Sequence, residues 1–515
     1  MTRRAASATL AVVALAAGGC GDDARPVGDA RTGGAVVIAT PAPPDSLDPA
    51  LASTSVARQT AWLAYTPPLT YRRAEGAEGT EIVPALSRAL PETSDDGRTY
   101  SFAFRRGLRY PTGAPLRASD FERAVARSVR LSARAAARFR RVVGVTAYAH
   151  GDRNGVDIPG IAVDDDAGTV TIELTTPDRL FPHALATTWA APVPRGTELR
   201  DLSEDPPAGI GPYRVSQVRR NGDVVLERRR RWRLPGIPAG YPHEIVTRTV
   251  PDLRGRVRAV LDGRADLVEG QAPVRMLPDI RSKHADRYEE HSTLRLLYVS
   301  IDAGRAPFRD GDVRRALSYA LDAGDLARIH DGFLTPSCNV LPPAIPGYRR
   351  ADPCPFGERL DNADLVEASR LVRESGAVGA SVTVAAGAGE HGRAAARHVA
   401  ATLSKIGLLA HVGSAGAANV TLAAPAPAVP HPSAYLRHVD DPVLRARVRL
   451  LEQEAEPRDS AQQWAEIDGE VVERALLAPY GVAKAGVLAS ERLDFQNCSR
   501  FHPVMGMDYS SLCLK

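Results

Sequence analysis

The sequence predicts an α/β protein, and three observations carry the prediction. Short apolar or alternating runs recur along the chain, segments with apolar residues at helical spacing fall between them, and turn formers separate the two kinds. No internal repeat is evident, so the alternation is not that of a solenoid. Residues 35–39 are wholly apolar and run into a proline cluster, which reads as a buried strand. Residues 100–104 and 170–174 alternate apolar and polar side chains, the pattern of half-buried strands. Asp95-Asp96-Gly97 and Asp166-Ala167-Gly168 supply turns beside them. Asp120 is a candidate cap for a helix carrying Phe121, Val125 and Val129. After Asp310 and Asp312, the residues Val313, Ala316, Leu317, Ala320 and Leu321 share one helical face. A third helix is predicted over 392–406, stopped by Gly407 and followed by a strand over 408–412. Residues 423–432 mix alanine and proline and cannot form a central strand.

Composition narrows the class. With 515 residues, 44% hydrophobic and 24% charged, the chain is neither collagen-like, nor disordered, nor a polytopic membrane protein. Its 65 basic residues include only four lysines, Lys283, Lys405, Lys484 and Lys515, and 61 acids nearly balance them. The net charge of +4 provides no overall field for nucleic acid.

The first twenty residues read as an address. Arg3 and Arg4 precede an uncharged apolar stretch at 5–17, too short to cross about 30 Å of hydrocarbon as a helix. That pattern fits an export signal at 1–19. Leu15-Ala16-Ala17-Gly18-Gly19-Cys20 resembles a bacterial lipobox, which makes Cys20 the expected lipidated first residue and anchors the protein to the outer face of the membrane. Residues 20–34 would be a flexible tether. Loss of the signal lowers the formal charge to +2.

Four cysteines remain, in an oxidising compartment. They permit three pairings, of which Cys338–Cys354 and Cys498–Cys513 close two short local loops. No CxxC pair accompanies them, and no metal or cofactor is expected.

Several motifs lead away from chemistry. Gly387-Ala388-Gly389-Glu390-His391-Gly392 matches a dinucleotide fingerprint between a strand and a helix, but the next strand ends in His411-Val412-Gly413-Ser414 without the ribose-binding acid. A glycine-rich strand-to-helix turn is the better account. Arg123, Arg127, Arg130, Arg134 and Arg138 form one basic stripe at helical spacing, read as a solvated helix face. Neither Gly-x-Ser-x-Gly nor His-Glu-x-x-His occurs, so no catalytic residue is assigned.

An ordered set of motifs carries a resemblance. Asp45-Ser46-Leu47-Asp48-Pro49 follows the first strand, then come Pro84-Ala85-Leu86 and Asp96-Gly97-Arg98-Thr99-Tyr100-Ser101-Phe102. Gly209-Ile210-Gly211-Pro212-Tyr213, Leu261-Asp262-Gly263-Arg264-Ala265-Asp266 and Ala306-Pro307-Phe308 stand later, ahead of Val313 to Asp322 and Lys405-Ile406-Gly407. In this order they resemble the extracytoplasmic solute-binding proteins of ABC importers, in the family of oligopeptide-, dipeptide- and nickel-binding proteins (family 5).

The resemblance implies a two-lobed class II periplasmic-binding-protein-like fold with an extra inserted subdomain. Lobe one would comprise 33–70, 189–290 and 487–515, the insertion 71–188, and lobe two 291–486. A small ligand, peptide or peptide-like, would be enclosed between the lobes and passed to an ABC permease and ATPase by a monomeric receptor. In peptide-binding members an acid pairs with the ligand's amino group. Aligning Pro432-Ser433-Ala434-Tyr435-Leu436 with the family's next motif puts Ala428 at that acid's position, with Ala426 beside it. Asp45 is the candidate substitute acid, and Trp62 and Tyr298 are candidate aromatic walls, with core packing the competing reading for both. Asp302, where many relatives have Asn, reads as a turn residue. A non-peptide solute or metal chelate, a sensing role, and an exported hydrolase are the alternatives.

Overall fold

The computed structural model describes residues 32–151, 157–270, 272–357, 362–454 and 456–515. The signal at 1–19, Cys20 and most of the 20–34 tether lie outside the described residues. The fold is α/β and two-lobed, built on a main sheet of eleven strands. At its centre, the long strands Tyr288–Ile301 and Leu477–Ala489 run antiparallel. Near one end of this pair, Leu477–Ala489 carries Leu267–Gly270. Beyond that strand lie Ala35–Thr40, Glu244–Thr249, Val224–Arg228 and Tyr213–Val218. Near the other end, Tyr288–Ile301 carries Val420–Ala423, followed by Ser381–Ala385 and Leu409–Gly413. The register of the long pair slips between Ser292 and Leu296, where the pairing passes from one half of the sheet to the other.

Each half contains a parallel triplet. Ala35–Thr40 runs parallel to both neighbours, and so does Ser381–Ala385. Parallel neighbours need a crossover, supplied by helices Leu253–Leu261 and Gly389–Lys405. Strands covered on both faces read as continuous apolar runs, which is why residues 35–39 lack polar alternation. The glycine-rich turn before Gly389–Lys405 packs backbone on backbone. A Cβ on Gly392 would lie 2.5 Å from the carbonyl of Gly387.

A second, four-stranded antiparallel sheet holds Glu92–Thr93, Thr99–Ala103, Thr169–Glu173 and Ile161–Asp164 in spatial order. Helix Ala118–Leu131 covers it, with Phe102, Phe121, Val125, Val170 and Ile172 in one core. Ile210, Trp232 and Ile237, from outside 71–188, join the same core.

Two readings of this helix change. It begins at Ala118, so Asp120 sits inside its first turn, accepting from the backbone of Arg117 at 3.0 Å and of Arg195 at 2.8 Å. The basic stripe is not a solvated face. Arg127 is 1% exposed and grips Asp48, while Arg123 donates to the carbonyl of Thr197. Arg134 and Arg138 belong to a separate helix, Ala133–Phe139, that starts after a break at Ser132. Equal spacing along the chain therefore joined side chains with different surroundings.

Both expected cysteine pairs are brought together, with Cα–Cα distances of 6.1 Å for Cys338–Cys354 and 5.5 Å for Cys498–Cys513. Asp302 accepts from the backbone of Gly304 at 3.1 Å and pairs with Arg305, as a turn residue does.

Candidate functional site

A cavity of about 430 Å³ opens where the four-stranded subdomain faces the second half of the main sheet. One wall includes Glu81, Tyr100, Arg179 and His183, and the other Pro430, His431, Glu456 and Arg458. The first wall is set by the hairpin Leu69–Tyr71 with Ile82–Pro84, by strand Thr99–Ala103 and by helix Pro182–Leu185. The second comes from the proline-rich loop after Val420–Ala423 and from the turn between helices Pro442–Glu454 and Ala461–Glu473.

Polar groups at the rim tie the walls together. Glu81 accepts a two-pronged bond from Arg72 at 2.9 and 3.0 Å and meets Arg458, from the opposite wall, at 3.2 Å. The Arg72 bond holds the Glu81 carboxyl below its ordinary range, against partial burial and with further help from Arg458. Burial pushes the Tyr100 phenol up to about 12, and its hydroxyl donates to the carbonyl of Asp178 at 2.8 Å.

Two buried histidines meet inside the cavity, with ring centroids 6.5 Å apart. Burial drives the His183 pKa well below its usual value, and Arg138 and His431 add to the effect. Burial, then Arg437, takes His431 down to about 3. Both rings are therefore neutral hydrogen-bonding groups at physiological pH, and neither is an acid–base catalyst poised near neutrality.

The residues expected from sequence stand elsewhere. Asp45 is exposed and braces the residues before helix Ser55–Ala64, whose cap is Thr54, by accepting from the backbone N–H groups and hydroxyls of Ser53 and Thr54. Partial burial opposes its charge, but these four donors prevail and leave its pKa at about 2. Trp62 is buried, with the Arg73 guanidinium 3.8 Å above its ring and His502 against its edge at 5.3 Å. Tyr298 is half-buried on the long strand, against the core around Leu294, Leu296 and Trp464. Ala426 and Ala428 are exposed in the proline-rich loop that leads into Pro430 and His431. None of these five residues lines the cavity. The residues that sequence reasoning passed over are His183 and His431. The one available signal was Pro430-His431-Pro432, a histidine held rigid beside the anchor motif.

A family model described as "Bacterial extracellular solute-binding proteins, family 5 Middle" matches residues 81–424. The chain belongs to family 5 of the bacterial extracellular solute-binding proteins. Among curated family relatives, the glutathione-binding protein GsiB of Shigella flexneri is 26% identical over 317 residues, covering 59% of this chain and 55% of that protein. The oligopeptide-binding protein OppA of Bacillus subtilis is 25% identical over 354 residues, covering 66% of this chain and 62% of that one. The matches thus span just over half of those relatives' length. Among solved structures, clavulanic acid biosynthesis oligopeptide binding protein 2 superposes with a TM-score of 0.78 at 23% identity, over 94% of this chain and 96% of that one. That likeness is one of fold. These relatives are binding proteins by name, and among the described residues no helix is long and apolar enough to cross a membrane.

Proposed function

We propose that this chain is an extracytoplasmic solute receptor. It captures a small peptide or peptide-like ligand between its lobes and delivers it to an ABC transporter permease, performing no reaction itself. Lipidated Cys20 would hold it on the outer face of the membrane. The observation that carries the proposal is the cavity of about 430 Å³ with one wall from residues 80–183 and the other from 346–459. That volume lies within the range of small-molecule sites, about 300–1,000 Å³. We take lobe one as 33–70, 189–290 and 487–515, the insertion as 71–188, and lobe two as 291–486. The two lobes then share the long strands Tyr288–Ile301 and Leu477–Ala489, and a shared strand pair can flex where its register slips.

The names of the relatives, one for glutathione and one for oligopeptides, support a peptide-like ligand. A second reading, a solute without a free amine, is favoured by Ala428, which offers no charge where an amine-pairing acid is expected. Asp45 is already committed to Ser53 and Thr54. Thermal unfolding of the mature protein with glutathione, a panel of di- to pentapeptides, and amine-free analogues tests both readings. A true ligand at a hundred times its Kd stabilises the native state by about 2.7 kcal/mol. A rise in melting temperature with at least one peptide is expected. If only amine-free compounds raise it, the second reading replaces the first; a panel without any effect overturns both.

A further inference from the structure

Two stretches of the chain hold arginine without acid. Residues 105–117 contain four arginines and residues 228–243 contain five, and neither stretch has an Asp or Glu, in a chain whose 65 bases and 61 acids nearly balance. The fold brings the two stretches together. Arg229 donates to the carbonyl of Arg109 at 3.2 Å, and Trp232, Leu234 and Ile237 enter the same core as Tyr110. Burying those apolar side chains leaves their charged neighbours outside, so Arg106, Arg109, Arg230, Arg231 and Arg233 are all exposed. The bonds made here run to carbonyls, Arg109 to Gly113 and Arg233 to Trp232, and cancel no charge. Among the described residues, the side chains of Arg106, Arg230 and Arg231 make no hydrogen bond, and none of the five arginines pairs with a carboxylate.

This bare charge stands where the tether meets the fold. The N–H of Gly33 donates to the carbonyl of Tyr241 at 3.0 Å, and the Arg228 guanidinium donates to that same carbonyl at 3.2 Å. Arg230 and Arg231 follow two and three residues later, so their Cα atoms lie within about 11 Å of that of Arg228. Residues 20–31 can span at most about 43 Å even when drawn out straight. A lipidated Cys20 therefore keeps this corner of the molecule close to the headgroups. Guanidinium groups match phosphate in charge and geometry, and an anionic membrane surface presents phosphate densely.

We propose that this arginine face docks on the anionic phospholipid headgroups of the membrane. The assignment rests on the lipid-anchored reading above and adds to it which side of the receptor faces the bilayer. Each arginine that reaches an anionic surface raises partitioning only about fivefold. The tether holds the face at high local concentration, so a few such contacts suffice. None of the five arginines lines the cavity, so headgroups and ligand do not compete for the same side chains.

The test is cosedimentation of the mature chain carrying Cys20→Ser, which leaves only the protein surface to bind. The vesicles are phosphatidylcholine, alone or mixed with phosphatidylglycerol. The otherwise unaltered chain should bind the phosphatidylglycerol vesicles at low salt, ignore phosphatidylcholine, and let go at high potassium chloride. Arg230→Gln, Arg231→Gln and Arg233→Gln together should weaken binding roughly tenfold or more at an unchanged melting temperature, and Arg106→Gln alone about fivefold. Arg200→Gln, Arg264→Gln and Lys283→Gln together remove equal charge from exposed sites paired with local acids, and should leave binding unchanged. Absence of phosphatidylglycerol-dependent binding, full binding by both arginine variants, or an equal loss in the control overturns the proposal. So does displacement by inorganic phosphate beyond that by chloride at equal ionic strength, which marks a discrete phosphate site instead. Palmitate labelling of the full-length chain reports on Cys20 independently. Label without lipid binding sinks the docking face and leaves the anchor; lipid binding without label keeps the face and sinks the anchor.

Discussion

Asp48 illustrates how much one side chain carries. Both its oxygens bond Arg127, at 2.9 and 2.7 Å, and the same carboxylate accepts from the backbone of Ala50 and Leu202. Both side chains are essentially sealed from solvent, so the pair rivets the helix of the four-stranded subdomain to the segment that follows the first strand. Removing one partner strands a buried charge. Asp48→Ala should cost about 3–5 kcal/mol, measured by urea unfolding. The double change Asp48→Ala with Arg127→Met should recover part of that loss, since no charge is then left unpaired. A loss below about 1 kcal/mol for the single variant would contradict a buried, fully paired site.

Among the elements, the loop closed by Cys338–Cys354 is the one most dependent on staples. It has little regular structure of its own, and it docks on helix Ala461–Glu473 through Asp468. That carboxylate accepts from Asn339 at 2.9 Å and from the backbone of Val340 at 2.7 Å. Burial raises the Asp468 pKa to about 6, opposed by these donors. Converting both cysteines to serine should cost about 3 kcal/mol, the loop-closure value for a separation near 15 residues. Alkylation followed by intact mass should find no free thiol in the mature chain apart from an unlipidated Cys20; two or more modified sites would contradict the observed pairs. The regular elements were largely legible. Strands at Ala35–Thr40, Thr99–Ala103 and Thr169–Glu173, and the helix stop at Gly407, arise from local periodicity and from a backbone φ of +102° that glycine accommodates. Asp120 does cap the first turn of Ala118–Leu131, but from its third position by accepting from Arg117, and its second bond, to distant Arg195, is one no local pattern reveals.

At the scale of the whole molecule, buried neutral histidines make stability depend on pH. His502 joins the C-terminal hairpin to the carbonyl of Arg72 at 3.0 Å, while its Nδ1 accepts from Val504 and Met505. Its pKa falls to about 4, chiefly through burial, and His431 falls to about 3. A depressed folded value means that the unfolded chain takes up protons first. Stability is therefore full above pH 6.5 and drains as pH falls toward 4, by about 1.4 kcal/mol per pH unit for each such histidine. Asp468, raised to about 6, and Glu122, raised to about 7 by burial, act in the opposite sense and offset part of the loss, to which buried His183, also lowered, adds. Urea unfolding at pH 7 and pH 5 should show a net loss, reduced in His502→Asn relative to its own value at pH 7. An identical loss in that variant would remove His502 from the account.

The division between sequence and structure follows the range of the forces involved. Periodicity, turn chemistry and the order of motifs act over a few residues, so the α/β class, the family and the two short cysteine loops could be read from the chain itself. Compensation of charge and exclusion of water are decided by what a second segment places against the first. Only the folded molecule could show that Arg127 is buried on Asp48, that Asp45 is spent on Ser53 and Thr54, and that His183 and His431 meet. Those two rings come from opposite walls of the cleft. Their pairing is a property of how the walls face each other, which no run of neighbouring residues encodes.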